Sequence, residues 1–312
     1  MLTAVHSRAR GRGAAALLVA GVCWGTGGIA GALLATSGDL HPLSIAAYRL
    51  LLGGVFVSMF LLATSGMRVP RTAASVRRLL VVGVLLAVFQ ASYFAAVTLT
   101  SVSLATMITI GSVPVFVVVA TTARTGRRPS VTTLGALCSA IVGLVLLMGA
   151  PTGAGEGSPL IGIGCALLAG AGFATVTIAT RRPVAGLDPL RTAAVGCLLG
   201  GALLLPAALM VGVSIPLRPE PVAAALYLGL VPTALAYTAY FTGLRSAHAV
   251  VAGLAVLLEP LTAALLATVL LGDRLGVVGW CGAGLLVVAL AVSQLRPEPV
   301  PIQRSEVAPA ER

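Results

Sequence analysis

No lysine occurs in this chain of 312 residues; all 20 of its basic positions are arginine, set against 9 acidic residues. Without lysine there is no phosphate-cradling Gly-Lys loop, which argues against a chain that hydrolyses nucleotides on its own account. Histidine is scarce too: His6, His41 and His248 lie near segment ends with no ligand spacing, and no nucleophile–base set or acidic pair accompanies them. That leaves no metal centre and argues against a membrane enzyme. The five cysteines, Cys23, Cys138, Cys165, Cys197 and Cys281, all fall inside apolar segments without paired spacing. They read as small packing residues, neither disulfides nor metal ligands, and no cofactor is expected. The deepest shortage is of charge: 9% of residues are charged and 58% hydrophobic, with a mean hydropathy of +1.05. Water cannot be the main solvent of such a chain.

What the chain does have is apolar runs of about 20 residues, each long enough to cross roughly 30 Å of hydrocarbon. Read between polar breaks, they predict membrane helices at 14–36, 42–64, 79–98, 102–122, 130–149, 159–180, 189–212, 222–243, 249–271 and 275–294. The first follows Arg8, Arg10 and Arg12 and imitates a secretory signal, but its apolar run is too long for a signal core, and Val22 is too bulky before Cys23 for a lipoprotein site. The breaks alternate in charge. Placing the first in the cytoplasm puts 17 of the 20 arginines inside, leaves Arg218 and Arg274 outside, and strands Arg49 within a helix. Both termini are therefore expected in the cytoplasm. The same rule accounts for the net charge of +11, so no nucleic-acid partner is inferred. Abundant Ala, Gly, Pro and Arg without Lys points to a GC-rich bacterial genome, and so to a multi-pass protein of the plasma membrane bilayer.

The chain also repeats itself. His41-Pro42-Leu43 to Gly53-Gly54 aligns with Asp188-Pro189-Leu190 to Gly200-Gly201 at an offset of 147, while Gly83, Pro114 and Gly126 align with Gly229, Pro260 and Gly272 at 146. One copy holds five predicted helices. Five is odd, so the second copy enters the membrane upside down, and the loop charges agree: uncharged Leu99 corresponds to Arg245, and Arg127 to Asp273. The expected fold is an all-α integral membrane protein of ten transmembrane helices, built as two inverted five-helix repeats at 14–149 and 159–294, with cytoplasmic tails at 1–13 and 295–312. Inverted repeats are a recurring plan of secondary transporters, and channels use them as well.

An early Trp24-Gly25-Thr26, Arg49 in the second helix, and Leu258-Glu259-Pro260 followed by Leu270-Leu271-Gly272-Asp273 in the ninth complete an ordered pattern. With the five-plus-five arrangement, it resembles the drug/metabolite transporter superfamily, EamA-like family, over almost the whole chain. One departure is Asp273, where such proteins often carry Glu. The resemblance implies secondary export or exchange of small metabolites such as amino acids or drugs, and it leaves the substrate open. A passive facilitator or channel is the alternative.

Charges inside a bilayer are functional candidates by default. Arg49 lies about seven residues, or roughly 10 Å of helical rise, from the external end of its helix, and Glu259 about 12 residues from the external end of its own. Neither is repeated: their counterparts are Gly196 and Val113. Arg49 is the candidate for attracting an anionic group of a small-molecule substrate. Glu259 is the candidate for binding an amine or taking a coupled proton. An Arg49–Glu259 ion pair, or an Arg49 that snorkels to the headgroups, is the structural alternative. Trp24, Gln90, Ser92, Tyr93, Tyr237 and Tyr240 are candidates to line a polar cavity, or else serve as interfacial anchors or packing. Pro114 and Pro260, twins in the repeat, are candidate gating hinges; Pro232 has no twin and ranks below them, and Pro42 and Pro189 start helices. Gly135, Ser139 and Gly143, with Gly279 and Ala283, allow close helix contact, within the chain or across a homodimer seam.

Overall fold

The structure, a computed structural model, describes residues 2–149, 158–247, 249–271 and 274–295. Glu156, His248, Gly272, Asp273 and residues 296–312 of the expected C-terminal tail lie outside them. The described residues are helical almost throughout: α1 Leu2–Ser37, α2 Pro42–Thr64, α3 Ala73–Leu99, α4 Val102–Thr125, α5 Val131–Met148, α6 Pro159–Thr180, α7 Pro189–Val211, α8 Pro219–Gly229, α9 Ala236–Leu244, α10 Ala249–Ala255, α11 Leu258–Leu266 and α12 Val277–Leu295. A π-helical turn, Leu230–Leu235, joins α8 to α9, and another, Ala267–Leu271, follows α11. Among the described residues, nine helical spans are long and apolar enough to cross a membrane, and Val277–Ser293 is a shorter tenth. Large apolar side chains such as Leu62, Val131 and Met210 stand exposed on the outer faces, as a lipid solvent allows.

Helix starts follow local chemistry. Thr72, Ser101, Ser130 and Asp188 each accept a hydrogen bond from the backbone N–H three residues on, and Pro42 and Pro189 occupy the first helical turn as expected. Asp188 does more than cap α7, because its carboxylate also pairs with Arg191, whose Nη2 donates to the carbonyl of Gly66 at 2.8 Å. Asp188→Ala is expected to lower stability by about 1–2 kcal/mol, and Asp188→Asn, which keeps the cap, by less than half of that. Thermal denaturation of the purified protein checks the order.

Two spans depart from the sequence expectation. The helix expected over 249–271 is interrupted at Val256–Leu257, two residues before Glu259. The cause is Pro260: its ring opposes the carbonyl of the fourth residue back, Val256, and it offers no N–H to that carbonyl. The chain tightens instead, with Leu257 N donating to Leu254 O and Glu259 N to Val256 O, both at 3.0 Å. The helix expected over 222–243 contains the π turn around Pro232, which leaves Leu228 O without its usual donor; Thr233 Oγ1 supplies one at 2.8 Å. The twin proline of Pro260, Pro114, sits inside an unbroken α4.

Glycines set the closest helix approaches, and those approaches come in reciprocal pairs. A Cβ on Gly54 would meet Leu198 Cγ at 2.7 Å, and one on Gly201 would meet Leu51 Cγ at 2.7 Å. Likewise Gly83 faces Leu199 Cβ at 2.6 Å while Gly229 faces Leu52 Cβ at 2.5 Å. Helix neighbours pair off in the same way: α3 packs on α6 as α1 packs on α8 and α9, and α2 and α5 pack against α7 and α12. The small-residue face of α5 is used within the chain. Ser139 Oγ donates to Leu285 O at 3.0 Å, and a Cβ on Gly143 would lie 2.9 Å from Gly282 O.

Candidate functional site

The motif Trp24-Gly25-Thr26 earns its glycine through packing. A Cβ on Gly25 would come within 2.7 Å of Glu259 O and 2.4 Å of Thr262 Cβ, and one on Gly21 within 2.6 Å of Ala255 O. Two glycines at GxxxG spacing thus let α1 lie against the interrupted span that carries Glu259. Trp24, next to Gly25, is buried at the centre of an aromatic cluster, with ring centroids 5.6 Å from Phe173, 5.6 Å from Tyr237 and 5.0 Å from Tyr240.

Beside this cluster lies a cavity with about 30 Å³ open to the centres of water molecules. Its charged walls are Arg49 from α2 and Glu259 from α11; its aromatic walls are Trp24, Phe89, Phe173 and Tyr237; Thr109, Ile110, Val113 and Val256 complete it. Seven of the ten spans contribute. The volume holds a water or two and is far smaller than an amino acid, so the cavity must widen to take a metabolite.

The two charges interact through space without forming an ion pair, since Arg191–Asp188 is the one salt bridge within 4 Å among the described residues. Arg49 does not snorkel to the surface. Its Nη2 donates to Pro232 O at 3.5 Å, a long and weak bond, and its Nε is buried with no partner among the described residues. A buried Nε without a partner is a hydrogen-bond donor left unused, which is costly in an apolar bundle. Pro232 thereby gains a place at the site that the repeat comparison did not give it.

Of the candidates, Trp24, Arg49, Tyr237 and Glu259 line the cavity; Gln90, Tyr93 and Tyr240 do not. Tyr240 stands behind Trp24, with its hydroxyl 2.6 Å from Thr177 Oγ1. Tyr93 packs on Phe89 at 6.5 Å between ring centroids and bonds Thr106 Oγ1 at 2.7 Å. Gln90 is fully buried and its Nε2 lacks a partner among the described residues, and Ser92 is buried on the same helix. Pro114 abuts Gly253 of α10, where a Cβ would lie 3.2 Å from Pro114 Cα. Phe89, Thr109 and Phe173 escaped sequence reasoning. Phenylalanine and threonine in apolar runs look like packing, and the available signal was only that aromatics make up 4% of the chain.

Comparison with known proteins agrees with this architecture. An uncharacterized transporter of Bacillus subtilis, YwfM, is 31% identical over 281 residues, covering 90% of this chain and 93% of the relative. An uncharacterized inner membrane transporter of Salmonella typhimurium, YicL, is 25% identical over 89% of this chain and 94% of its own length. A crystal structure superposes with a TM-score of 0.78 at 20% identity, over 91% of this chain and 96% of the other, which extends the likeness of fold. The profile of the EamA-like transporter family matches twice, at residues 11–149 and 160–294. With nearly every residue of the helical bundle inside one match or the other, the chain belongs to the EamA-like family of membrane transporters.

Proposed function

We propose that the protein is a secondary carrier that exports or exchanges a small metabolite, such as an amino acid or a drug-like solute, across a bacterial plasma membrane. One observation carries the reading: Arg49 and Glu259, opposite charges deep in an apolar bundle, face one aromatic-walled cavity without neutralising each other in direct contact. In this reading Arg49 holds an anionic group, Glu259 holds an amine or a coupled proton, and Trp24 and Tyr237 enclose the body of the substrate. Tyr240, Tyr93 and Gln90 support these walls from outside the cavity.

The proposal includes two inverted five-helix halves with both termini in the cytoplasm. It is supported by the reciprocity of the glycine contacts. Residues 54 and 201 stand 147 apart, as do 51 and 198, and an exchange of partners between copies is what a two-fold axis produces. With an odd number of spans per copy, that axis lies in the membrane plane, where exchanging the conformations of the halves exposes the cavity to alternate sides. The interruption at Val256–Leu257 and Pro114 of α4 serve as hinges in this motion, with Pro260 as the cause of the first.

Comparison of intracellular and secreted metabolite pools in cells with and without the protein identifies the solute, and counterflow in proteoliposomes tests the mechanism. The expected result is a transient accumulation of external label driven by an internal unlabelled pool. Label that only equilibrates, with no overshoot, would mark an open pore and overturn the carrier.

A further inference from the structure

Away from the cavity, three arginines from separate stretches of chain meet in one pocket. Arg78 comes from the second turn of α3, Arg182 from the loop between α6 and α7, and Arg245 from the turn after α9; Thr180 and Thr192 add hydroxyls. The pocket has about 20 Å³ open to water centres. Its loop is built rather than slack: Val184 and Leu187 form a bridge, Gly186 turns at φ +73° against Pro70, and Arg78 Nη2 donates to Arg182 O at 2.9 Å. Among the described residues none of the three arginines has a carboxylate within 4 Å.

Guanidiniums that line one pocket with no carboxylate within 4 Å leave it with a positive field that an anion between them would offset. The apolar walls, Leu187, Phe241 and Pro189, keep the local dielectric low and focus the positive field. Nor is the cluster forced by the duplicated scaffold, since positions 78 and 245 correspond to Ala224 and Leu99. Guanidinium forks match the paired oxygens of a phosphate, which a halide lacks.

We propose that this pocket binds a phosphate group, presented either by the headgroup of an anionic phospholipid or by a free phosphate. It is a site separate from the Arg49–Glu259 cavity. The arginine-rich breaks gather at this end of the bundle, where an acidic leaflet supplies the first source and the cytosol the second.

The test uses the full-length protein in neutral detergent. Three probes are titrated at matched ionic strength: dioctanoyl-phosphatidylglycerol, dioctanoyl-phosphatidylcholine and inorganic phosphate. The expected result is a saturable rise in melting temperature of about 3 °C with phosphatidylglycerol, and none with phosphatidylcholine. A saturable rise with inorganic phosphate of similar size supports the free-phosphate source; a response to phosphatidylglycerol alone supports the lipid. Arg182→Gln with Arg245→Gln weakens the dissociation constant at least about tenfold, whereas Arg124→Gln with Arg127→Gln, in another exposed basic break, leaves it unchanged. Should the first pair fail to fold, Arg245→Gln alone and native mass spectrometry of the unaltered protein, counting retained phosphatidylglycerol, carry the same decision. No saturable response to phosphatidylglycerol or inorganic phosphate, or equal loss in both variant pairs, would overturn the proposal.

Discussion

Glu259→Gln is expected to reduce counterflow at least about tenfold while leaving the amount of folded protein in the membrane unchanged, and Arg49→Gln to do the same. Glutamine preserves the shape of Glu259, so its packing beside α1 survives; what disappears is one charge-assisted contact to substrate, worth about 1.5–3 kcal/mol, or tenfold and more. The outcome separates substrate chemistry from architecture. If the two residues were a structural pair, removing either partner would leave an uncompensated buried charge and destabilise the protein by about 3–5 kcal/mol, and the double variant would recover stability. Because the two side chains lie beyond salt-bridge distance and share a cavity, the expected pattern is the reverse: melting curves stay close together while transport falls. If Glu259 also carries a coupled proton, residual flux in Glu259→Gln ceases to respond to an imposed proton gradient. Unchanged transport in both single variants would remove the cavity from the mechanism.

The parts of this site that were legible in sequence are those that violate their surroundings. Arg49 and Glu259 stand out because a charge in an apolar run is costly wherever the run happens to pack. Trp24 was found through the motif Trp24-Gly25-Thr26 and its place within the first helix. Geometry between helices was less accessible. Tyr237 and Tyr240 are three residues apart on one helix, yet one lines the cavity and the other backs Trp24, a difference set by how α9 is rotated against α1 and α6. Phe89 and Phe173 carried no polar atom to betray them. Proline was only half informative: the same missing N–H breaks the span at Val256–Leu257 and leaves α4 intact at Pro114. The differing context is visible in three dimensions, where the chain on either side of the break is pressed against Gly21 and Gly25 of α1. Span positions, by contrast, were legible, because every crossing needs an apolar run of about 20 residues between polar breaks.

The largest structural effect is expected at Gly282, where α12 crosses α5. A Cβ there would lie 2.4 Å from Leu147 N, 2.6 Å from Gly143 O and 2.9 Å from Leu146 C, all backbone atoms of the opposing helix, so no rotamer change relieves the clash. Gly282→Leu must push the helices apart, breaking the hydrogen bond from Ser139 to Leu285 O and destabilising the bundle by about 3 kcal/mol or more. Gly284 provides the control two residues away. Nothing lies within 4 Å of its absent Cβ and it is exposed, so Gly284→Ala is expected to be neutral or to stabilise by up to about 1 kcal/mol through helix propensity. The two variants are compared by melting temperature and by the monodisperse fraction after detergent extraction. The comparison also bears on the proposed symmetry. Residues 139 and 285 stand 146 apart, the repeat offset, so this hydrogen bond joins a residue to its own counterpart, which happens only beside a two-fold axis. A Gly282→Leu protein that melted with the Gly284→Ala variant would mean that α5 and α12 do not meet in close contact here, and would count against the proposed symmetry.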